Sequence, residues 1–209
     1  RLISLNYAPL AADIRRVSRR LAMLVESVCR GTGYDRVHIV GHSMGGVVAR
    51  HYVQCMGGDS RVHTLVTLGS PHGGSAYAKV LPHSIARQLR PQSEFVQELE
   101  QPAPGCRTRM IAIWSDLDQV IVPQRNARIV HPDLNSRNVF IRGVGHMSLP
   151  VDGRAVHEIC TALSHLDTDG TTLAAGATSI ASSPGKPSPK KRKPAARASA
   201  RPVASPAAN

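Results

Sequence analysis

Residue types and spacing that could do chemistry first come together in Gly41-His42-Ser43-Met44-Gly45-Gly46. The stretch contains Gly-x-Ser-x-Gly. The apolar run Val37-His38-Ile39-Val40 precedes it, and residues 46–56 after it read as a helix. A serine on a sharp strand-to-helix turn sits in a strained backbone conformation, with its hydroxyl lifted clear of the sheet edge. Gly41 and Gly45 are expected to keep side chains out of the crowded turn. The helix start behind Ser43 aims backbone N–H groups at developing negative charge. A bland alternative is a glycine-rich turn with an inert serine. The strand before and the helix after favour the reactive reading.

A serine hydroxyl is a weak nucleophile near neutral pH and needs a general base. In a strand-turn-helix architecture the partners follow in the order serine, acid, histidine. They must come just after later strands, whose ends share an edge with Ser43. His146 in Gly143-Val144-Gly145-His146 follows the run at residues 139–141 and is well placed as the base. Asp116 and Asp118 follow the run at residues 110–114. Either would orient the imidazole and stabilise its protonated form, and on the residues alone both stay open. His42 is expected to shape the turn rather than act as base, because a base approaches the hydroxyl from across the site. For His72, packing of its Pro-His-Gly-Gly turn is favoured over lining a pocket. His38 and His63 fall in strands, His51 on a helix, and His131, His157 and His165 are surface candidates. No HExxH spacing occurs, so neither metal nor cofactor is expected.

The elements that must position these groups alternate. Residues 2–5 could form a short strand. Ile14, Val17, Leu21, Leu24, Val25 and Val28 share one helical face, with Asp13 as N-cap and Gly31 or Gly33 as stop. Arg15, Arg16, Arg19 and Arg20 lie off that face and read as solvated surface. Strands follow at residues 37–40, 62–68, 110–114 and 139–141, and a last helix at about 154–166. Strands alternating with helices imply parallel pairing through right-handed crossovers. The expected fold class is α/β: an open, mostly parallel sheet of about five strands. Residues 75–105 interrupt the alternation with four prolines and a short helix capped by Ser93. Connections this long are often functional, so this one is a candidate lid, with an ordinary surface excursion as the alternative.

The chain has 209 residues, 42% of them hydrophobic but only 3% aromatic, so one aliphatic core is expected. No run approaches eighteen apolar residues, the length of a membrane-crossing helix. No signal peptide is visible after Arg1, and a targeting segment upstream would make the protein secreted or membrane-associated. The net charge is +12, but seven basic residues and no acidic one lie in 181–209; the body keeps 19 basic against 14 acidic. From about residue 168 the chain is Ala, Ser, Pro, Gly and Lys, the composition of a disordered tail. The expected division is therefore 1–167 as the folded domain and 168–209 as the tail. Lys190-Lys191-Arg192-Lys193 suits weak contact with an anionic surface, and without interleaved aromatics it does not suit specific nucleic-acid recognition. Cys29, Cys55, Cys106 and Cys160 form no CxxC pair and are expected to be free thiols.

Three stretches carry a family resemblance: Val40-Gly41-His42-Ser43-Met44-Gly45-Gly46, Thr67-Leu68-Gly69-Ser70-Pro71-His72-Gly73-Gly74, and Gly143-Val144-Gly145-His146. Together they resemble a bacterial lipase or esterase of the α/β-hydrolase superfamily, over roughly residues 1–166. The resemblance implies a serine hydrolase that cleaves carboxylic esters, with lipid-like acyl esters favoured, through an acyl-enzyme. An acyltransferase, thioesterase or amidase with the same residues is the alternative. So is an inactive hydrolase-like chain that binds anionic partners through its tail. The family's acid precedes a short apolar run ending in Pro, which favours Asp118, in Asp118-Gln119-Val120-Ile121-Val122-Pro123, over Asp116. The implied site is Ser43, Asp118 and His146, with the Met44 N–H in the oxyanion hole. The family's second oxyanion donor comes from an earlier His-Gly loop, which no residue before Ser43 matches. The chain starts at what resembles the family's fourth strand. The first strands are thus expected to be lacking, and these residues alone to be poorly active.

Overall fold

The computed structural model describes residues 2–7, 13–80 and 84–164. The expected tail, His165, Leu81 and the basic cluster near residue 190 lie outside the described residues. Helix α1 spans Ile14–Thr32, strand β1 Val37–His42, helix α2 Met44–Cys55 and strand β2 Val62–Leu68. Short helices α3 (Ser84–Gln88) and α4 (Glu94–Glu98) precede strand β3 (Arg109–Trp114). Strand β4 (Ser136–Phe140) and helix α5 (Gly153–Ser164) complete the order. The sheet runs β1-β2-β3-β4, and every pairing is parallel. Neighbours in the chain are therefore neighbours in the sheet, and all strand C-termini meet at one edge.

Four strands are present among the described residues, one fewer than expected. Residues 2–7 form no strand: Leu2 is almost fully exposed, while Leu5 and Tyr7 pack against the core. Apolar content alone does not make a strand when the backbone pairs with no neighbouring strand. Strand β4 also differs, beginning three residues before the apolar run. Its polar start pairs Ser136 with Met110, and the Asn138 amide bonds both backbone groups of Ile129. An edge strand can carry such residues because only one flank is buried.

The chemistry of each strand follows its place. Every residue of the inner strand β2 is buried, the polar His63, Thr64 and Thr67 along with Val62, Leu65, Val66 and Leu68. Leu65, Met110 and Ala112 face the cluster containing α1 and α2, whereas Val66, Leu68, Ile111 and Ile113 face the α5 side. Helix α1 starts on Asp13, whose carboxylate accepts the Arg16 N–H at 2.9 Å, and stops at left-handed Gly33. Of its arginines, Arg15 pairs with Glu98 at 2.7 Å, and Arg16, Arg19 and Arg20 are exposed.

The excursion from residue 75 splits into two parts. Ser93 caps α4 through the Val96 N–H, and Phe95 and Leu99 sit fully buried in the α1–α2 cluster. Within a lid at 75–105 both would be expected to face an acyl chain, and they do not. The correction has a simple cause: Arg50 and Gln54 of α2 both donate to the Leu99 carbonyl, drawing this turn onto the core. Val80 and Tyr77, by contrast, are exposed. The four cysteines are free thiols. Among the described residues no helix is long and apolar enough to cross a membrane.

Candidate active site

Ser43 joins β1 to α2 with φ 54° and ψ −127°, a left-handed conformation that a side-chain-bearing residue adopts only at a cost of about 1–3 kcal/mol. Two contacts hold it there: its N–H donates to the Leu68 carbonyl at 2.8 Å, and its carbonyl accepts from Gly46 at 3.2 Å. The turn is crowded where the chain folds back. A Cβ on Gly41 would lie 2.6 Å from the Gly46 Cα. Gly45, expected to be crowded, is not: its nearest neighbour would be the Tyr7 hydroxyl at 3.5 Å, ordinary contact. The second crowded position is Gly46, where a Cβ would collide with the Ser70 hydroxyl and stand 2.9 Å from Thr67. The motif spacing marks Gly41 and Gly45, but only tertiary packing shows that Gly46 is pressed against β2.

His146 arrives from the loop after β4. Its Nε2 is 3.0 Å from the Ser43 Oγ, and its Nδ1 is 2.8 Å from the Asp118 Oδ2. Asp118 is buried, and its other oxygen accepts the Val120 and Ile121 N–H groups, each at 2.9 Å. A carboxylate can only accept, so Nδ1 carries the proton and Nε2 presents a lone pair to the hydroxyl.

Asp116 does something else. Its Oδ1 accepts the Gly143 N–H at 2.7 Å, and Ser115 accepts the Val144 N–H at 3.0 Å. That backbone hydrogen bond, foremost, holds the Asp116 carboxyl below its ordinary range. The loop after β3 thus carries one aspartate for the imidazole and another for the loop that carries it. Farther along, Leu149 is fully buried and anchors the turn at His146–Val151.

In the sequence Gly69 is marked only by its place in Leu68-Gly69-Ser70-Pro71. It sits at φ 52°, directly after β2. A Cβ there would lie 2.8 Å from the Asp118 Oδ2 and 3.1 Å from the His146 Nδ1. Its bare backbone is the wall against which the acid and imidazole pack. His72 is buried in its turn with Nε2 3.0 Å from the Thr67 hydroxyl, the packing role favoured for it. Burial, and then the Arg50 charge, hold its pKa well below the usual imidazole range. The Met44 N–H opens α2 immediately after Ser43, at the positive end of the helix.

A second titratable group lies on α2. His51, Cys55 and Glu98 each place a ligand-type atom within 4.8 Å of the others. Both Glu98 oxygens are taken, one by His51 at 3.0 Å and one by Arg15 at 2.7 Å. These bonds tie α4 to α1 and α2, and the group reads as a hydrogen-bonded clasp.

Comparison with solved structures gives the same fold. The chain is similar to Bacillus licheniformis lipase BlEst2 in its mature form (TM-score 0.59, 15% identity, covering 75% of this chain and 76% of that one). It is also similar to a Listeria innocua gene product (TM-score 0.57, 20% identity, 76% and 69% covered). A third is the Paleococcus ferrophilus monoacylglycerol lipase (TM-score 0.51, 12% identity, 71% and 74% covered). At these identities the likeness establishes the α/β-hydrolase fold and no more. The family model for palmitoyl protein thioesterase matches residues 10–119, just over half of the chain and the part that runs from α1 through the serine turn to Asp118. With that match, the parallel sheet and the serine turn at its edge, the chain belongs to the palmitoyl protein thioesterase family of α/β-hydrolases.

Proposed function

We propose that the protein hydrolyses lipid-like acyl esters through an acyl-enzyme on Ser43. The observation that carries this reading is the continuous relay from Asp118 through His146 to the Ser43 hydroxyl, at 2.8 and 3.0 Å. In the proposed cycle Ser43 attacks the acyl carbonyl while His146 Nε2 takes its proton. Asp118 holds the imidazole tautomer and stabilises the imidazolium as it forms. The Met44 N–H, at the α2 terminus, donates to the oxyanion. His146 then protonates the departing group and activates the water that releases the acid.

The rim of the site supports the substrate class. Tyr77, Val80, Leu117, Val122, Met147 and Val151 are exposed, and all lie on loops following β2, β3 and β4. Those loops leave the same sheet edge as Ser43. Exposed apolar residues on the connections of that edge suit a long acyl chain better than a small polar ester. In this reading the lid role narrows to the stretch around Tyr77 and Val80, since Phe95 and Leu99 belong to the core. A thioester is the second reading, favoured by the family match across the serine turn. The relay serves both, because only the leaving atom differs.

The test is a panel of p-nitrophenyl esters of rising chain length beside a palmitoyl thioester, with Ser43→Ala as control. Turnover of octanoyl or longer substrates that falls at least about 10⁴-fold in Ser43→Ala is expected. Equal turnover by wild type and variant would remove the proposal. A preference for acetyl over octanoyl would remove the lipid-like substrate class.

A further inference from the structure

The residue before the nucleophile makes a bond that the relay does not use. The His42 Nε2 lies 3.0 Å from the main-chain carbonyl oxygen of His146. A carbonyl can only accept, so this nitrogen carries the hydrogen and donates it. The two imidazole rings lie 4.8 Å apart, tilted by 40°. Adjacent residues 42 and 43 therefore reach residue 146 at two separate points: Ser43 meets its ring and His42 its backbone.

We propose that His42 is a positioning residue that pins the His146 main chain to the serine turn through its Nε2–H. This proposal rests on the acyl-enzyme reading above. The bonds from Ser43 and Asp118 hold the imidazole ring but do not reach the main chain that carries it. The His42 bond fixes that main chain at the His146 carbonyl. A proton acceptor that must shuttle between the serine oxygen and a leaving group gains from such an anchor, because misplacement by about 1 Å can cost about 10²-fold in rate. The other side of the loop is already held, by Asp116 on Gly143 and Ser115 on Val144. His42 closes the remaining side. Burial, foremost, lowers the His42 pKa, in keeping with an Nε2–H that donates to the carbonyl.

The chemistry gives a discriminating substitution series. Glutamine carries its amide nitrogen the same number of bonds from Cα as the histidine Nε2, so His42→Gln keeps a donor within reach of the carbonyl. The amide of His42→Asn falls one atom short, and His42→Leu has no donor. Steady-state kinetics on p-nitrophenyl octanoate, with circular-dichroism melting of each variant, reads the result. His42→Leu and His42→Asn are expected to lose about 10- to 100-fold in kcat with KM within about threefold. His42→Gln is expected to stay within about threefold of wild type in both. The proposal is overturned if the leucine and asparagine variants, folded by their melts, keep wild-type kcat. It is equally overturned if the glutamine variant falls with them. Ser43→Ala in the same series separates the two questions: full activity there sinks the acyl-enzyme reading, whatever His42 does.

Discussion

At the scale of single residues, each group of the relay acts through what it presents to its neighbour. Asp118 acts by fixing a tautomer, so an isosteric change that leaves the fold alone is informative. Asp118→Asn would accept poorly from Nδ1 and would favour the wrong tautomer at His146. A loss of about 10⁴-fold in kcat with little change in KM is the expected outcome, measured by steady-state hydrolysis of p-nitrophenyl octanoate. Gly69 makes a second residue-scale prediction. Gly69→Ala puts a methyl group 2.8 Å from the Asp118 carboxylate, so the acid–imidazole pair must shift. A fall of about 10- to 100-fold in kcat is expected. Gly33→Ala is the matched control, with a left-handed φ of 77° and nothing within 4 Å; it should lose about 1 kcal/mol of stability and no activity. Ser43 and His146 were legible in the sequence because glycines and strand ends flank them. The Asp118 choice came from a family pattern. Gly69 was not legible, since its neighbours come from loops 49 and 77 residues away and no local signal encodes that approach.

At the scale of elements, the connections between strands carry the stability that the site needs. Asp59, just before β2, accepts from the Arg107 and Thr108 N–H groups and the Thr108 hydroxyl at 2.6–2.8 Å, tying the start of β2 to the start of β3. Partial burial would raise its carboxyl pKa, but these hydrogen bonds outweigh burial and hold it below the ordinary range. A folded-state pKa below the unfolded one contributes stability above the unfolded carboxylate range, lost as pH falls through the folded value. Asp59→Asn should therefore cost about 1–2 kcal/mol at neutral pH, by urea unfolding, and the gap to wild type should close in acid. The buried His72 acts in the same direction over a higher window. Its folded form resists protonation, so stability declines as pH drops below about 6.5, where the unfolded imidazole takes up protons. The elements themselves were mostly legible: α1 with its Asp13 cap, the central strands β2 and β3, and the turn into α2 all follow from periodicity. What failed were the margins. Residues 2–5 have strand composition without a partner edge, and β4 begins in polar residues whose bonds are tertiary.

At the scale of the whole molecule, a sheet with β1-β2-β3-β4 in chain order delivers the three groups of the relay to one edge. Ser43, Asp118 and His146 follow β1, β3 and β4, and the backbone of Gly69 after β2 fills the space between them. Parallel pairing makes this convergence automatic, which is why strand alternation in the sequence was enough to foresee it. The polarity of the surroundings was less legible. Phe95 and Leu99 look alike as core residues or as acyl contacts, and only the α2 side chains that capture the Leu99 carbonyl decide between them.

In the proposed mechanism His146, held by Asp118, makes the Ser43 hydroxyl reactive. Its most direct test is to treat the protein with a fluorophosphonate and map the adduct by peptide mass spectrometry. One adduct is expected, on the peptide carrying Ser43, absent in Ser43→Ala and formed at least about 10³-fold more slowly in His146→Ala. An adduct on another residue, or labelling of Ser43 at an unchanged rate without the His146 imidazole, would contradict it.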